Sequence, residues 1–375
     1  MIDTIILELK GNSFTVLDYK KFNTVKDVVE NTTGFHKWVN NPTLADKKAD
    51  IYKPRLTLFK RGEKNLFLKI EFSAPKLVFG NNLQELCEND FSLVVQNLKD
   101  KLLEMGVIVF SQQLEGANVI AFHPSKNIRI TNGFTSTFVI RELSKIDISQ
   151  KFDIDVKEYM NCGLALQFYT RLYAICIYDK INDYSKPKRR AIDKDQTGKQ
   201  RDFFEVIKKK NSFLEILRIE VRLIGKKKIN ELLQLLGFNK NPNFKDIFKK
   251  DVCQKVIINC WERIFDNNLF IFMPNYNPQK VLESVLIKNP SIRTIKAISI
   301  TGLALLAKDK EGIRGLRQII DGHKPKKTNW QAVKRYLRGL DKKIDVKPLG
   351  FVKDVESGFN DFSSIKFKDL QCKEK

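Results

Sequence analysis

The segment Leu217-Arg218-Ile219-Glu220-Val221-Arg222-Leu223 decides how this chain is read. Its apolar and charged residues alternate, and in a β-strand residues two apart share a face. Ile219 and Val221 therefore point one way, and Arg218, Glu220 and Arg222 the other. Three further segments repeat the pattern: Leu68-Lys-Ile-Glu71-Phe-Ser73, Ser144-Lys-Ile-Asp147-Ile-Ser149 and Ala174-Ile-Cys-Ile-Tyr178-Asp-Lys180. Such alternation is the ordinary signature of a half-buried antiparallel sheet, and one acid on its outer face is usually just solvated. Four such faces, each pairing an acid or a phenol with Lys or Arg, predict more. One sheet face would be apolar core, and the other would carry three acids, a tyrosine and a ring of bases.

Working outward, Ile5-Ile6-Leu7-Glu8-Leu9 reads as an opening strand, and Arg55–Phe59 pairs with Leu66–Phe72 across the turn at 60–65. The run from Leu83 to Met105 has helical spacing and ends at Gly106, a C-cap signal. This order predicts an α+β fold: an antiparallel sheet with helices on one face, forming a catalytic domain over residues 1–225. Residues 226–353 read as a mostly helical accessory region that binds DNA, with helices at 229–236, 252–265 and 278–287. A last helix is expected with Thr328 or Asn329 as N-cap. The segment 185–201 reads as a mobile polar loop, and residues 354–375 as a loosely ordered tail.

The chain has 375 residues, room for two or three domains with real cores. Its formal net charge of +23, from 67 basic and 44 acidic residues, favours a polyanionic partner, nucleic acid first. No interfacial amphipathic helix and no run of about 20 apolar residues points to a membrane. The acid at Asp3 stands where an export signal carries bases. The six cysteines form no Cys-x-x-Cys pair, so they read as reduced thiols of a cytoplasmic protein.

Only three histidines are present, His36, His123 and His323, and none is near another in sequence. That excludes a His-hydrophobic-His metal site. A metal would have to be hard and oxygen-ligated, Mg²⁺ or Mn²⁺ on Glu71, Asp147 and Glu220. Tyr178 would be the nucleophile. A phenol titrates near pH 10, so it needs activation, which Lys180 on the same face could supply. The product would be a 5′-phosphotyrosine linkage and a free 3′ hydroxyl able to prime synthesis. Tyr184 remains a rival nucleophile on spacing alone, while Tyr169 and Tyr173, four apart, suit helix packing.

These segments resemble a known family. Met1–Leu9, Ile70-Glu-Phe-Ser-Ala-Pro-Lys-Leu-Val-Phe-Gly-Asn81, Ser144–Ser149, Ile177-Tyr-Asp-Lys180, Leu217–Arg222 and the helix around Asn329-Trp-Gln-Ala-Val-Lys-Arg-Tyr336 are similar, in the same order, to the gene II replication proteins of filamentous phages. The resemblance covers most of the chain. It implies an initiator of rolling-circle replication that nicks one strand of a supercoiled phage or plasmid origin and rejoins the displaced strand. By position the family tyrosine and lysine fall on Tyr178 and Lys180, and the acids on Glu71, Asp147 and Glu220. It implies origin DNA, duplex and single-stranded, as partner, with a helicase, a polymerase and a single-strand-binding protein of a bacterial host. The stretch 10–54 departs from the pattern, and so does the more basic loop 188–210.

Phosphate contacts are expected from Lys188, Arg189, Arg190, Lys199, Arg201, Arg218, Arg222, Lys326, Lys327, Lys334 and Arg335. Trp330 and Tyr336 could stack on exposed bases or form the inner side of their helix. The rival from another class is an initiator or repressor that binds origin DNA without cutting. It needs neither the acids nor the tyrosine. A tyrosine recombinase, which uses an Arg/His pocket without metal, suits so histidine-poor a chain badly.

Overall fold

The computed structural model describes residues 1–370 except 25–34, 63–64, 132, 147–152, 155–162, 186–195, 211–212, 266–276, 325–326, 338–339, 341–343 and 345–347. Twelve strands follow in chain order: β1 (Ile2–Lys10), β2 (Thr15–Val16), β3 (Asn23–Thr24), β4 (Phe35–Asn40), β5 (Arg55–Arg61), β6 (Asn65–Ser73), β7 (Val107–Ile108), β8 (Asn118–Arg129), β9 (Asp153–Ile154), β10 (Ala165–Thr170), β11 (Tyr173–Asp179) and β12 (Ile216–Ile224). Ten form one antiparallel sheet in the order β3-β4-β5-β6-β1-β8-β12-β11-β10-β9, and β2 pairs with β7. With its many helices the molecule is α+β.

The expected hairpin forms as β5–β6, with Arg55 opposite Glu71 and Leu58 opposite Leu68. The alternating segments around Glu71, Tyr178 and Glu220 are strands β6, β11 and β12. Ser144–Ile146 is not a strand. Ser144 ends the helix Ser136–Ser144, whose apolar residues Val139, Ile140 and Leu143 have helical spacing and whose N-cap Thr135 accepts from the Phe138 amide. Asp147 lies outside the described residues. The helix expected from Leu83 starts later, at Phe91. Asn81 Oδ1 takes the amides of Leu83 and Gln84 in a local turn instead, a use of Asn that competes with helix.

One sheet face meets a hydrophobic core that includes Ile5, Leu7, Ile70, Phe72, Phe122, Ile175, Ile177, Ile219 and Val221. The helices Lys226–Leu235 and Lys250–Phe265 pack against β8 and β12, so this core runs on across residue 225. The helix Gly350–Asp361 packs on β8 and buries Phe351, Val355 and Phe359. The tail expected after Asp354 therefore begins as an anchored helix, and beyond it Ile365 N donates to Glu85 Oε2. Four more helices, Pro278–Lys288, Thr294–Lys308, Gly312–His323 and Lys327–Leu337, follow in a chain of contacts. Thr328 and Asn329 lie inside the last of these, so neither is its N-cap.

Helices are not confined to the apolar face. Phe204 and Ile207 of the helix Gly198–Lys210 cluster with Ile216, which shares its face with Arg218 and Glu220. The polar face is thus partly roofed, and what stays open is a cleft.

Candidate active site

Antiparallel register assembles the cleft. Residues directly opposite one another share a face. Tyr178 faces Arg218 and Cys176 faces Glu220 between β11 and β12, while Glu220 faces Ser125 of β8. On the far side, Ile6 of β1 faces Glu71, and Thr4 faces Ser73. Glu71, Tyr178, Glu220 and Arg222 accordingly line one cleft of about 270 Å³, with Asp3, Thr4, Tyr52, Arg55, Lys76, Asn82 and His123. β6 ends at Ser73, and Pro75 opens the helix Ala74–Phe79 that brings Lys76 to the cleft.

At its base the Tyr178 hydroxyl donates to Glu220 Oε2 at 3.3 Å. Glu220 Oε1 accepts from Arg222 Nε at 2.8 Å and lies 3.3 Å from His123 Nδ1. Burial disfavours the charged carboxylate, but Arg222, His123 and Arg218 outweigh it and hold the Glu220 carboxyl well below the usual range. Burial pushes the Tyr178 phenol well above its ordinary value, Arg218 and Arg222 pull it back, and Glu220 and Asp3 push it further up. The pair at rest is a neutral phenol against an ionised carboxylate.

Several expected roles change. Lys180 lies with its ammonium 5.6 Å from the Tyr178 ring centroid, but it is buried and bonded to Asn82 Oδ1 at 2.8 Å. The cations that draw the phenol down most are Arg218 and Arg222. Arg218 is only 2% exposed, bonded to the Asn82 carbonyl and to Ser125 Oγ and paired with Asp3 Oδ1 at 3.0 Å, so it braces the site from within. Tyr184 is stacked on Phe204 at 4.0 Å in a separate apolar cluster, away from the cleft. Tyr169 and Tyr173 stand on the β10–β11 hairpin, not on a helix.

Of the three expected metal ligands, Glu71 and Glu220 share the cleft and Asp147 is outside the described residues; among those described no group of three His, Cys, Asp or Glu side chains is placed to hold a metal ion. Both Glu220 oxygens are engaged, whereas Glu71 has no hydrogen bond or ion pair to a described residue. Glu71 is the carboxylate with oxygens to spare. One carboxylate with waters and substrate phosphate suits Mg²⁺.

Of the basic residues expected on DNA, Arg222 lines the cleft, and Lys199 and Arg201 are exposed in the first turn of the helix Gly198–Lys210. Arg335 is exposed and Lys334 half-buried on the helix Lys327–Leu337, where Lys327 is the first residue. Lys188, Arg189, Arg190 and Lys326 lie outside the described residues. Trp330 is buried, with Arg317 5.8 Å from its ring centroid, so it serves the core, while Tyr336 is exposed.

Alternation alone misses Asp3. The β1–β8 register shifts between Ile2 and Ile5, and this irregularity turns Asp3 and Thr4, neighbours in sequence, toward the same cleft. His123 had a visible signal, since it alternates with the core residue Phe122, but a search for metal-binding histidine pairs passes over it. No family model, no curated protein and no solved structure matches this chain.

Proposed function

We propose that the chain is a DNA-nicking and rejoining initiator of rolling-circle replication, with Tyr178 as nucleophile. The observation that carries this reading is the Tyr178–Glu220 hydrogen bond at the base of a cleft lined with cations and Glu71. A neutral phenol attacks phosphorus poorly, and the ionised carboxylate that accepts its hydrogen bond is placed to receive its proton as the new bond to phosphorus forms and the phenol turns acidic. As the phenolic oxygen bonds to phosphorus, its proton passes to Glu220 Oε2. The bond from phosphorus to the 3′ oxygen breaks, and that oxygen leaves with the bonding pair and takes a proton from water. The products are a 5′-phosphotyrosine ester and a 3′ hydroxyl. Attack by a 3′ hydroxyl on the ester reverses the step and rejoins the strand. Arg222 and Lys76 stand where they can offset charge growing on the phosphate. A divalent cation held by Glu71 would polarise a non-bridging phosphate oxygen.

The substrate on this reading is a phage or plasmid origin, with the strand to be cut presented to the cleft as a single strand. A host helicase, polymerase and single-strand-binding protein would then extend and clear the nicked strand. The test incubates wild type and Tyr178→Phe with supercoiled plasmid carrying the element's own origin, with Mg²⁺ or with EDTA, on a denaturing gel. The expected result is a nicked circle with protein attached, dependent on metal and reduced at least about a thousandfold in the variant. An adduct that survives in Tyr178→Phe removes Tyr178 as nucleophile. Tight binding without a nick under any metal favours the non-cutting initiator.

A further inference from the structure

A second concave site lies on the other side of the sheet. The helix Ser136–Ser144 packs Val139, Ile140 and Leu143 into the same core as Ile175 and Ile177, opposite the face that holds Tyr178. Between its outer side and the start of the helix Gly312–His323 is a groove of about 480 Å³, lined by Thr137, Arg141, Ser144, Lys310, Arg314 and Gln318 among others. The two helices are held close by Gly312. It adopts a left-handed φ of +60°, and a Cβ there would fall 2.7 Å from the Lys145 carbonyl oxygen.

The groove concentrates positive charge. Among the described residues, Arg141, Lys145, Lys308, Lys310 and Arg314 surround it or stand behind it, against the acids Glu142 and Glu311. Glu142 is already taken by Lys145 at 2.8 Å. Burial, and then the neighbouring Lys145, draws the Lys308 ammonium down to about 8 despite Glu142. Like charges held together raise the energy of the free protein, and a bound polyanion offsets that cost.

We propose that this groove binds the phosphodiester backbone of a single-stranded nucleic acid. Arg141 on one helix, Arg314 on the other and Lys310 in the turn before it can follow successive phosphates, and the exposed Thr137 and Gln318 can donate to phosphate oxygens between them. A volume of about 480 Å³ takes in a few backbone units and cannot enclose a duplex. The site stands whether or not Tyr178 cuts, because it shares no residue with that cleft.

The experiment compares wild type, the triple variant Arg141→Gln/Lys310→Gln/Arg314→Gln and a charge-matched control, Lys10→Gln/Lys20→Gln/Lys48→Gln. Binding of fluorescent oligo-dT is followed across salt concentration. At about 0.7 counterions per phosphate contact, loss of three contacts should flatten the salt slope by about two and weaken Kd at least about tenfold relative to the control. Hydrogen exchange on the wild-type chain guards against a misfolded variant: oligo-dT should slow exchange in 137–145 and 308–318. Equal slopes and affinities for the two variants, with no protection of these segments, would overturn the proposal. So would protection by duplex DNA or by phosphatidylserine vesicles in place of oligo-dT.

Discussion

Strand β11 carries two buried phenols, and their difference separates structure from chemistry. Tyr173 faces the hydrophobic core, where its hydroxyl donates to the Cys260 thiol. Tyr178 faces the opposite way and donates to Glu220. Burial raises both phenols above their ordinary range, so burial cannot distinguish them. The partners do. A thiol itself pushed up to about 12 takes no proton near neutrality, whereas a carboxylate held ionised by Arg222 and His123 can. One face of the strand stores stability, and the other keeps a polarised pair beside open space.

The largest expected effect falls on the polar face. Glu220→Gln leaves Arg222 without its paired anion, while Arg218 keeps Asp3, and breaking such a buried pair costs about 3–5 kcal/mol. Urea unfolding should show that loss. A change under about 1 kcal/mol would mean that the carboxylate is not needed to balance Arg222.

A second buried acid tests the same electrostatics by pH. Burial would raise the Glu85 carboxyl, but Lys126, bonded to Oε2 at 2.7 Å, and the Asn127 amide help hold it at about 2, against an ordinary 4.5. A depressed folded value contributes stability that is complete above the unfolded value and fades as pH falls from about 4.5 toward 2. The contribution is about 3 kcal/mol at most. Glu85→Gln should remove that part of the acid limb. Parallel losses in wild type and variant over this window would show that other groups govern acid unfolding.

The Tyr178 phenol tests the Glu220 charge directly. Tyr178→Phe removes a hydrogen bond to a charged acceptor and should cost about 1.5 kcal/mol. Denaturant midpoints measure it, and a loss under about 0.5 kcal/mol would contradict the charged state assigned to Glu220.

Sequence alternation reached far here because it reports which face a residue takes, and antiparallel register then brings distant residues together. Glu71, Tyr178 and Glu220 come from three strands and meet in one cleft. What alternation lacks is depth. It cannot tell that the helix Gly198–Lys210 roofs part of the face, nor that Arg218 on that face is buried and paired with Asp3. Nor can it register the irregularity that turns Asp3 into the cleft. Around Ser144–Ile146 it failed for another reason: a short run of alternating residues overlaps the end of an amphipathic helix, and tertiary packing selected the helix.

The smallest structural effect is expected at Glu71, and it bears most directly on chemistry. This carboxylate lines the cleft but holds no described partner, so Glu71→Gln removes no ion pair and should shift folding stability by under about 0.5 kcal/mol. Glu220→Gln in the same cleft should cost several times more, because its charge is already in use. If Glu71 takes the cation, its variant should fold like wild type yet require a far higher Mg²⁺ concentration to nick the origin plasmid. A Glu71→Gln protein that nicks at the wild-type Mg²⁺ concentration would remove this residue from the metal's shell and leave Tyr178 and Glu220 as the catalytic pair by themselves.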